Sequence, residues 1–553
     1  MKFVADPKLV DSVKEICPDG LDYRPLRENR VAVMVRLEDL ERLAGIFIKK
    51  FGARLIHATA IDLEMKGFEI LHIYDFSKVR ERLIVILKAH AERPKVPSIG
   101  KMTWQARWAE REMRELLGID FVEMPDPRHQ FLPYEWPEPA EGGSQTGSEF
   151  IPLRMPLTET YQTLIPIGPY HPGVIEGQTV YVKVEGEDVV AADIKTGFHH
   201  RGIMRLIERR GYNRGVFAAE RICGICSGAH GLAYVTCIEN LYESEVPDRA
   251  LYIRTLLAEL NRMQSHLLWI GVVADVIGWK TGFMLTWGLR ERVLDIVETI
   301  AGNRVHYGIW RVGGVSRDVP QELAERAKRT VDGLKEECSE LLTLVAEHPV
   351  VKSRLIGVGK LTYEQAFDGG AVGPVARGSN WKIDVRADNP PHAIYDPKII
   401  SWEVVTDDGC DSYARTIVRV KELLVSAGIV SQCLDHLSKT TGEVRVKPKY
   451  IPAGSEAVGL NEAPRGELAY YIRASERNEN LPQGIRIRTP SYRNNAVLPL
   501  MLIGCNLADV PVIMGSIDQC LACTDRVEVI GKNYRRSMVW EELVAMSRRA
   551  SKW

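Results

Sequence analysis

The stretch E220-R-I-C-G-I-C-S-G-A-H230 sets two cysteines three apart and a histidine four further on, within a region otherwise rich in Ala and Leu. That spacing predicts a helix carrying Cys223, Cys226 and His230 on one face, since residues three and four apart are neighbours on a helix surface. A second pair, Cys520 and Cys523, repeats the spacing nearly at the other end of the chain in DQCLACTDR. Either pair alone is compatible with two small core residues. If the fold brings the pairs together, they make an all-thiolate site for a soft metal. A structural zinc is the commonest occupant of paired cysteines, but such pairs usually lie within about 15–20 residues of each other.

The remaining six cysteines, Cys17, Cys237, Cys338, Cys410, Cys433 and Cys505, are isolated in sequence. Ten thiols in 553 residues are too sparse for a disulfide scaffold. Cys237 falls on the same helical stripe as the first pair and reads as core. His230 reads equally as a metal ligand or as an imidazole hydrogen-bonded beside thiols.

Composition excludes several classes. Lys plus Arg number 72 and Asp plus Glu 73, which removes the electrostatic case for nucleic acid as a partner. Hydrophobic residues make up 45% and charged residues 26%, as expected of a globular chain of several cores. The longest apolar stretches, around Leu267–Trp279 and Val497–Gly515, are interrupted by Asp275 and Asp509, so no bilayer-spanning helix is expected. The opening MKFVADPKLVDSVKEI is amphipathic and lacks the apolar core of a signal peptide. The expected location is cytoplasmic, peripheral on the inner face of the cell membrane through partner subunits.

Residues 30–91 alternate strand-like segments (RVAVMVR, ARLIHATAIDL, FEILHIYDF, RLIVILKAH) with an amphipathic helix, LEDLERLAGIFIKKFG. A further helix, TWQARWAEREMRELLG, closes at Gly118. An α+β domain over residues 1–136 follows. Residues 137–150 read as a linker, because PEPAEGGSQTGSE holds too few apolar side chains to offset its ordering entropy. Beyond it, QTVYVKV and VVAADIK form a hairpin pattern, and from about Met204 to His348 the pattern turns helical, with long segments such as ALYIRTLLAELNRMQSHLLWIGVV spaced as core-facing stripes. The last third mixes helix with short strands, GEVRVKPK, EAVGL and ELAYYIR.

RICGIC with His230 and a C-terminal D-x-C-x-x-C resembles the paired signature of nickel-iron hydrogenase large subunits. IPIGPYHPGVIEGQTVYV, HHRGIMRLIE and EAPRG match that family's other landmarks in the right order. The stretch from Val96 to Trp136 resembles the small hydrophilic subunit of respiratory complex I, whose fusion is typical of formate hydrogenlyase-type, membrane-bound, energy-converting hydrogenases. The resemblance implies a mainly α-helical catalytic domain with small β elements over residues 151–526, related in fold to the complex I quinone-site subunit.

It further implies that Cys223, Cys226, Cys520 and Cys523 hold a nickel, with Cys226 and Cys523 bridging to an iron that bears CO and cyanide. Cys520 would accept the proton and Glu176 relay it. Arg465 would face the cyanide, with Asp518 pairing it and Pro464 lining the same canopy, while His171, Arg201 and Glu220 play supporting roles. An iron-sulfur small subunit, integral-membrane antiporter-like subunits and hydrogenase maturation factors are the implied partners, since this chain lacks the cysteines for its own iron-sulfur cluster. Two positions depart from the pattern. Gln519 replaces the usual Pro, and Arg526 replaces a His that binds a further ion in many relatives, which arginine cannot do. The extension 527–553 is the expected substrate of a maturation endopeptidase. A complex I-type coupling subunit without nickel is the alternative; the quinone-site subunit of complex I itself keeps neither cysteine pair, whereas all four thiols are present here.

Overall fold

The computed structural model describes residues 22–132 and 162–525, apart from positions 28, 64–65, 78, 81, 172–175, 243–244 and 449. The linker, Arg526 and the extension lie outside the described residues.

The chain first builds a five-stranded sheet from β1 (Asp22–Arg27), β2 (Arg30–Val35), β3 (Arg54–Asp62), β4 (Phe68–Asp75) and β5 (Ile84–Ala91), in the order β1-β2-β5-β4-β3. Only β2 and β5 run parallel. β1 carries no periodic signal, since DYRPLR is charged and holds a proline, and it sits where such a strand is tolerated, at the edge. Helix α1 (Leu40–Lys49) crosses between β2 and β3, and α2 (Trp104–Leu117) packs on β3. α2 starts on the Thr103 side chain, which accepts from the Gln105 amide, and ends at left-handed Gly118, as expected from sequence. β6 (Lys95–Pro97) and β7 (Asp120–Val122) form a small parallel pair.

The apolar run in β5 is explained by burial of both sheet faces. Val85 and Leu87 join the core beneath the helices, whereas Ile84 and Ile86 face a second cluster with Val458, Leu460, Ala469 and Tyr471 from far downstream. Alternate residues thus serve two cores, which a strand's two-residue period permits.

Next come the antiparallel strands β8 (Gln162–Ile167), β9 (Thr179–Glu185) and β10 (Asp188–Lys195). Helices α3 (Ile203–Arg210), α4 (Tyr212–Glu220), α5 (Ser227–Asn240), α6 (Asp248–Val276) and α7 (Lys280–Ala301) follow. The helical run expected over Met204–His348 is interrupted by a ribbon of β11 (Trp310–Arg311) and β12 (Gly314–Val315) before α8 (Gln321–Glu347). Gly313 there takes φ 82°, a conformation that breaks a helix. The long helices α6, α7, α8 and α9 (Ser412–Lys439) pack side by side. α6 is buried almost all round, which accounts for its lack of a polar face. GEVRVKPK is not a strand: it contributes one isolated bridge, Arg445 to Gly314, because the ribbon it meets is only two residues long.

A final antiparallel sheet, β13 (Glu456–Ala463), β14 (Gly466–Ala474) and β15 (Pro482–Arg488), lies between the first domain and α5. Gly459 allows the close approach: a Cβ there would stand 2.6 Å from that of Cys237. Helices α10 (Pro490–Leu502), α11 (Val510–Ser516) and α12 (Leu521–Thr524) complete the described chain. No helix among the described residues is long and apolar enough to cross a membrane.

Candidate metal centre

The first cysteine pair does not lie within a helix, contrary to the expectation from spacing. Cys223 to Cys226 form a turn between α4 and α5, and Cys226 caps α5. The physical reason is visible in the amides. Ile225 and Cys226 donate to the Cys223 sulfur at 3.2 and 3.3 Å, bonds a continuous helix would direct at carbonyls instead. α6 secures the turn, with Asn261 and Gln264 side-chain amides donating to the Ile225 carbonyl at 2.9 and 2.6 Å.

The second pair straddles the start of α12, with Cys523 inside the helix. Cys520 is the residue before the helix, and its own amide donates to the Ser491 hydroxyl at 2.9 Å. The next two amides, Leu521 and Ala522, both donate to one Glu176 carboxylate oxygen, the second at 2.8 Å. Glu176 thus satisfies the free amides at a helix start and stands beside Cys520. Arg201 bonds both loops at once: it donates to the Ile222 carbonyl at 2.6 Å and the Ala522 carbonyl at 3.1 Å.

The four thiols converge. Cys520 lies 3.4 Å from Cys223 and 3.2 Å from Cys523, and Cys523 lies 3.6 Å from Cys226, sulfur to sulfur. All four are buried. Cys523 is shared by two groups of possible ligands, one with Cys223 and Cys520 and one with Cys226 and His230. His230 reaches Cys523 through Nε2 at 3.4 Å and the Tyr470 hydroxyl through Nδ1 at 2.7 Å. Cys237, by contrast, donates to the Ala457 carbonyl at 3.4 Å and belongs to the core.

Electrostatics favour one thiolate and resist four. Hydrogen bonds from Cys226, Cys520 and Cys523 hold Cys223 well below the usual thiol range, with Arg465 adding to them. The bond to Cys223 pushes Cys226 and Cys520 up, and burial does the same to Cys523. A bound cation reverses that balance, because metal ligation deprotonates thiols outright. The donor set therefore fits a soft metal ion.

Arg465 covers the cluster. With Pro464 it forms the two-residue tip between β13 and β14, where Ala463 pairs with Gly466. Its Nε donates to the Asp518 carbonyl at 2.6 Å, and its Nη2 meets the Asp518 carboxylate at 2.7 Å, off the hydrogen-bonding axis. Burial opposes the charge on Arg465. Asp518 and three of the thiols outweigh it and keep the guanidinium firmly ionised. Nη1 is buried and has no partner among the described residues, which suits a polar group on a bound metal. Burial raises the Asp518 carboxyl against the pull of Arg465 and Arg419.

Other expected positions lie further out. Glu220 is fully buried, accepts from the Gly308 amide at 3.0 Å, and is pushed up to about 7 by burial. His171 is half-buried. Gln519 is buried, and its side-chain amide has no partner among the described residues. Sequence reasoning missed Ser491, Thr489, whose hydroxyl donates to the Cys523 carbonyl at 3.3 Å, and Asn494, which donates to the Arg465 carbonyl at 3.3 Å. All three occur in T-P-S-Y-R-N, a stretch without metal-ligating residue types.

Comparison with known proteins agrees with this architecture. Residues 276–454 and 444–526 match the family model described as the respiratory-chain NADH dehydrogenase 49 Kd subunit, and residues 33–154 that of its 30 Kd subunit. Residues 201–272, which include the first cysteine pair, match the nickel-dependent hydrogenase family. The fold and site thus define a large subunit of the membrane-bound hydrogenase and complex I class.

Formate hydrogenlyase subunit 5 of Escherichia coli is 33% identical over 536 residues, covering 94% of this chain and 93% of that protein. The membrane-bound hydrogenase subunit alpha of Pyrococcus furiosus is 35% identical over 399 residues, covering 70% of this chain and 93% of that one. The chain belongs to the family of formate hydrogenlyase-type large subunits with a fused 30 Kd-like N-terminal domain. Among solved structures, a chain of an archaeal membrane-bound sulfane sulfur reductase superposes with a TM-score of 0.62 at 29% identity, covering 67% of this chain and 100% of that chain.

Proposed function

We propose that the chain is the catalytic subunit of a membrane-associated nickel-iron hydrogenase. It would reduce protons to hydrogen reversibly, with electrons from an iron-sulfur partner subunit. The observation that carries this reading is the convergence of Cys223, Cys226, Cys520 and Cys523 beneath an arginine whose Nη1 is unpartnered among the described residues. Cys223, Cys226, Cys520 and Cys523 would hold a nickel-iron centre whose iron carries CO and cyanide, and that centre would supply the redox chemistry of reversible proton reduction.

The chain's own residues do the rest. Cys520 stands between Cys223 and Cys523 and beside Glu176, so its sulfur is the proton acceptor at the centre and the carboxylate is the outlet. Glu176 keeps one oxygen on the two α12 amides and leaves the other for the moving proton. Arg465, buried over the thiols, would donate to the cyanide, and a charged donor acts strongly where water is excluded. Asp518 orients the guanidinium.

The complex would sit on the inner face of the membrane through antiporter-like subunits, and a maturation endopeptidase would cut after Arg526. Elemental mass spectrometry of the anaerobically purified complex tests the reading. Stoichiometric nickel, lost in Cys520→Ala, and an intact mass ending at Arg526 are expected. Zinc alone, in protein from a maturation-competent host, would overturn it.

A second reading is a complex I-type coupling subunit without nickel, or a module reducing something other than protons. Gln519 favours it, since an amide without a partner among the described residues stands where the resembled family has a proline before Cys520. Absence of nickel despite four intact thiols would select it.

A further inference from the structure

The elements around the working centre meet the N-terminal domain at a three-residue segment of β3, Arg54–Ile56, and at the Gln105 carbonyl of α2, to which Arg493 donates. Arg54 is buried and grips Glu467 with both arms of its guanidinium, at 2.8 and 2.6 Å, while Asp75 holds it from behind at 3.0 Å. Glu467 is the second residue of β14, two positions after Arg465. Arg488, the last residue of β15, also pairs with the Glu467 carboxylate and donates to its carbonyl at 2.5 Å.

The register of β3 against β4 slips here, so that Leu55 faces Tyr74 and His57 faces Ile73. Ile56 is the extra residue of a bulge, and its carbonyl is released from the ladder. That carbonyl accepts from Arg488 Nε and from Arg493 Nη2, both at 2.9 Å, and the Leu55 carbonyl accepts from Arg493 at 2.6 Å. Arg493 lies on α10, whose Ser491 and Asn494 hold the Cys520 amide and the Arg465 carbonyl. Segment 54–56 therefore bonds to β14, which flanks the canopy tip, to β15 beside it, and to α10, which holds the Arg465 carbonyl and the Cys520 amide.

We propose that Arg54, with the bulge beside it, is a positioning residue for the thiolate centre, so that the N-terminal domain sets the placement of Arg465 and Cys520 as well as covering the sheet. This rests on the reading of the thiol cluster as the working centre. A purely structural role for the domain would make any buried ion pair across the same interface equivalent. Lys88 provides that comparison: it is buried, bonds Glu456 at 3.0 and 3.1 Å, and meets β13 at the end opposite the canopy tip, seven residues or about 23 Å away along the strand.

The experiment compares Arg54→Met with Lys88→Met in the full chain within its native complex. Amide hydrogen exchange is read by mass spectrometry over residues 463–467, 489–495 and 517–524, beside the infrared bands of the iron's diatomic ligands. Arg54→Met is expected to speed exchange in these segments by about tenfold or more and to shift the bands, while Lys88→Met leaves both unchanged. Equal effects of the two substitutions, or none from Arg54→Met, would overturn the proposal. If Arg54→Met does not accumulate, Arg54→Lys against Lys88→Arg is read the same way, because lysine keeps the charge and loses the two-armed grip. Wild-type protein without nickel or infrared bands would sink the hydrogenase reading alone, and the exchange comparison would still decide the positioning role.

Discussion

At the scale of single residues, one substitution separates the proposed relay role of Glu176 from the contacts it makes. Its carboxylate satisfies two amides at the start of α12, a task that an amide oxygen performs equally well. Relaying a proton requires the acid. Glu176→Gln is therefore expected to keep nickel at wild-type content and to lower hydrogen evolution from an artificial low-potential donor by about 100-fold or more. Loss of nickel along with activity would show that the side chain serves the loop alone. Without the family resemblance Glu176 reads as a surface glutamate flanking a hairpin. Its proximity to Cys520 comes from a contact across more than three hundred residues of chain.

At the scale of elements, the hairpin tip between β13 and β14 is held by backbone packing on Gly373. A Cβ on Gly373, which has φ 64°, would stand 2.3 Å from the Gly466 Cα, and Gly466 itself has φ 128°. Gly373→Ala combines left-handed strain with a backbone clash, and about 2–3 kcal/mol of stability should be lost. The urea midpoint should fall, and the canopy should move far enough that bound nickel exchanges with a chelator. An unchanged midpoint would mean that the tip yields without strain. EAPRG was legible as a motif, but its glycine partner was not, because nothing in a sequence states which distant backbone a glycine must approach. The same limit explains the misread first pair: a Cys-x-x-Cys spacing suits a helix face and a thiol-centred turn alike, and the α6 side chains that hold the turn lie far along the chain.

At the scale of the whole molecule, acid is the condition to which the fold is exposed. Burial lowers His72, on β4 of the N-terminal domain, from 6.5 to about 4, and burial lowers His266, on α6, by a similar amount despite its 2.8 Å contact with Glu422. Below pH 6.5 the unfolded chain takes up these protons before the folded one does. The stability conferred is therefore fully present above about pH 6.5 and declines as pH falls towards 4, by about 3 kcal/mol for His72. His72→Leu should flatten that decline. Thermal midpoints at pH 7 and pH 4.5 check it, and equal falls in wild type and variant would refute it.

The sequence by itself determined the residue chemistry: two thiol pairs, an arginine after proline, a carboxylate in a landmark stretch of the resembled family, and most helices and strands through their periodicity. Those are local properties, written within a few residues of each position. Only the tertiary structure decided that the pairs meet within 3.2–3.6 Å, that Arg201 and Glu176 join two loops from opposite ends of a domain, and that a bulge in β3 reaches the canopy. Those are matters of register and close packing, set by the sum of many weak contacts between segments far apart in the chain, and no short stretch encodes them.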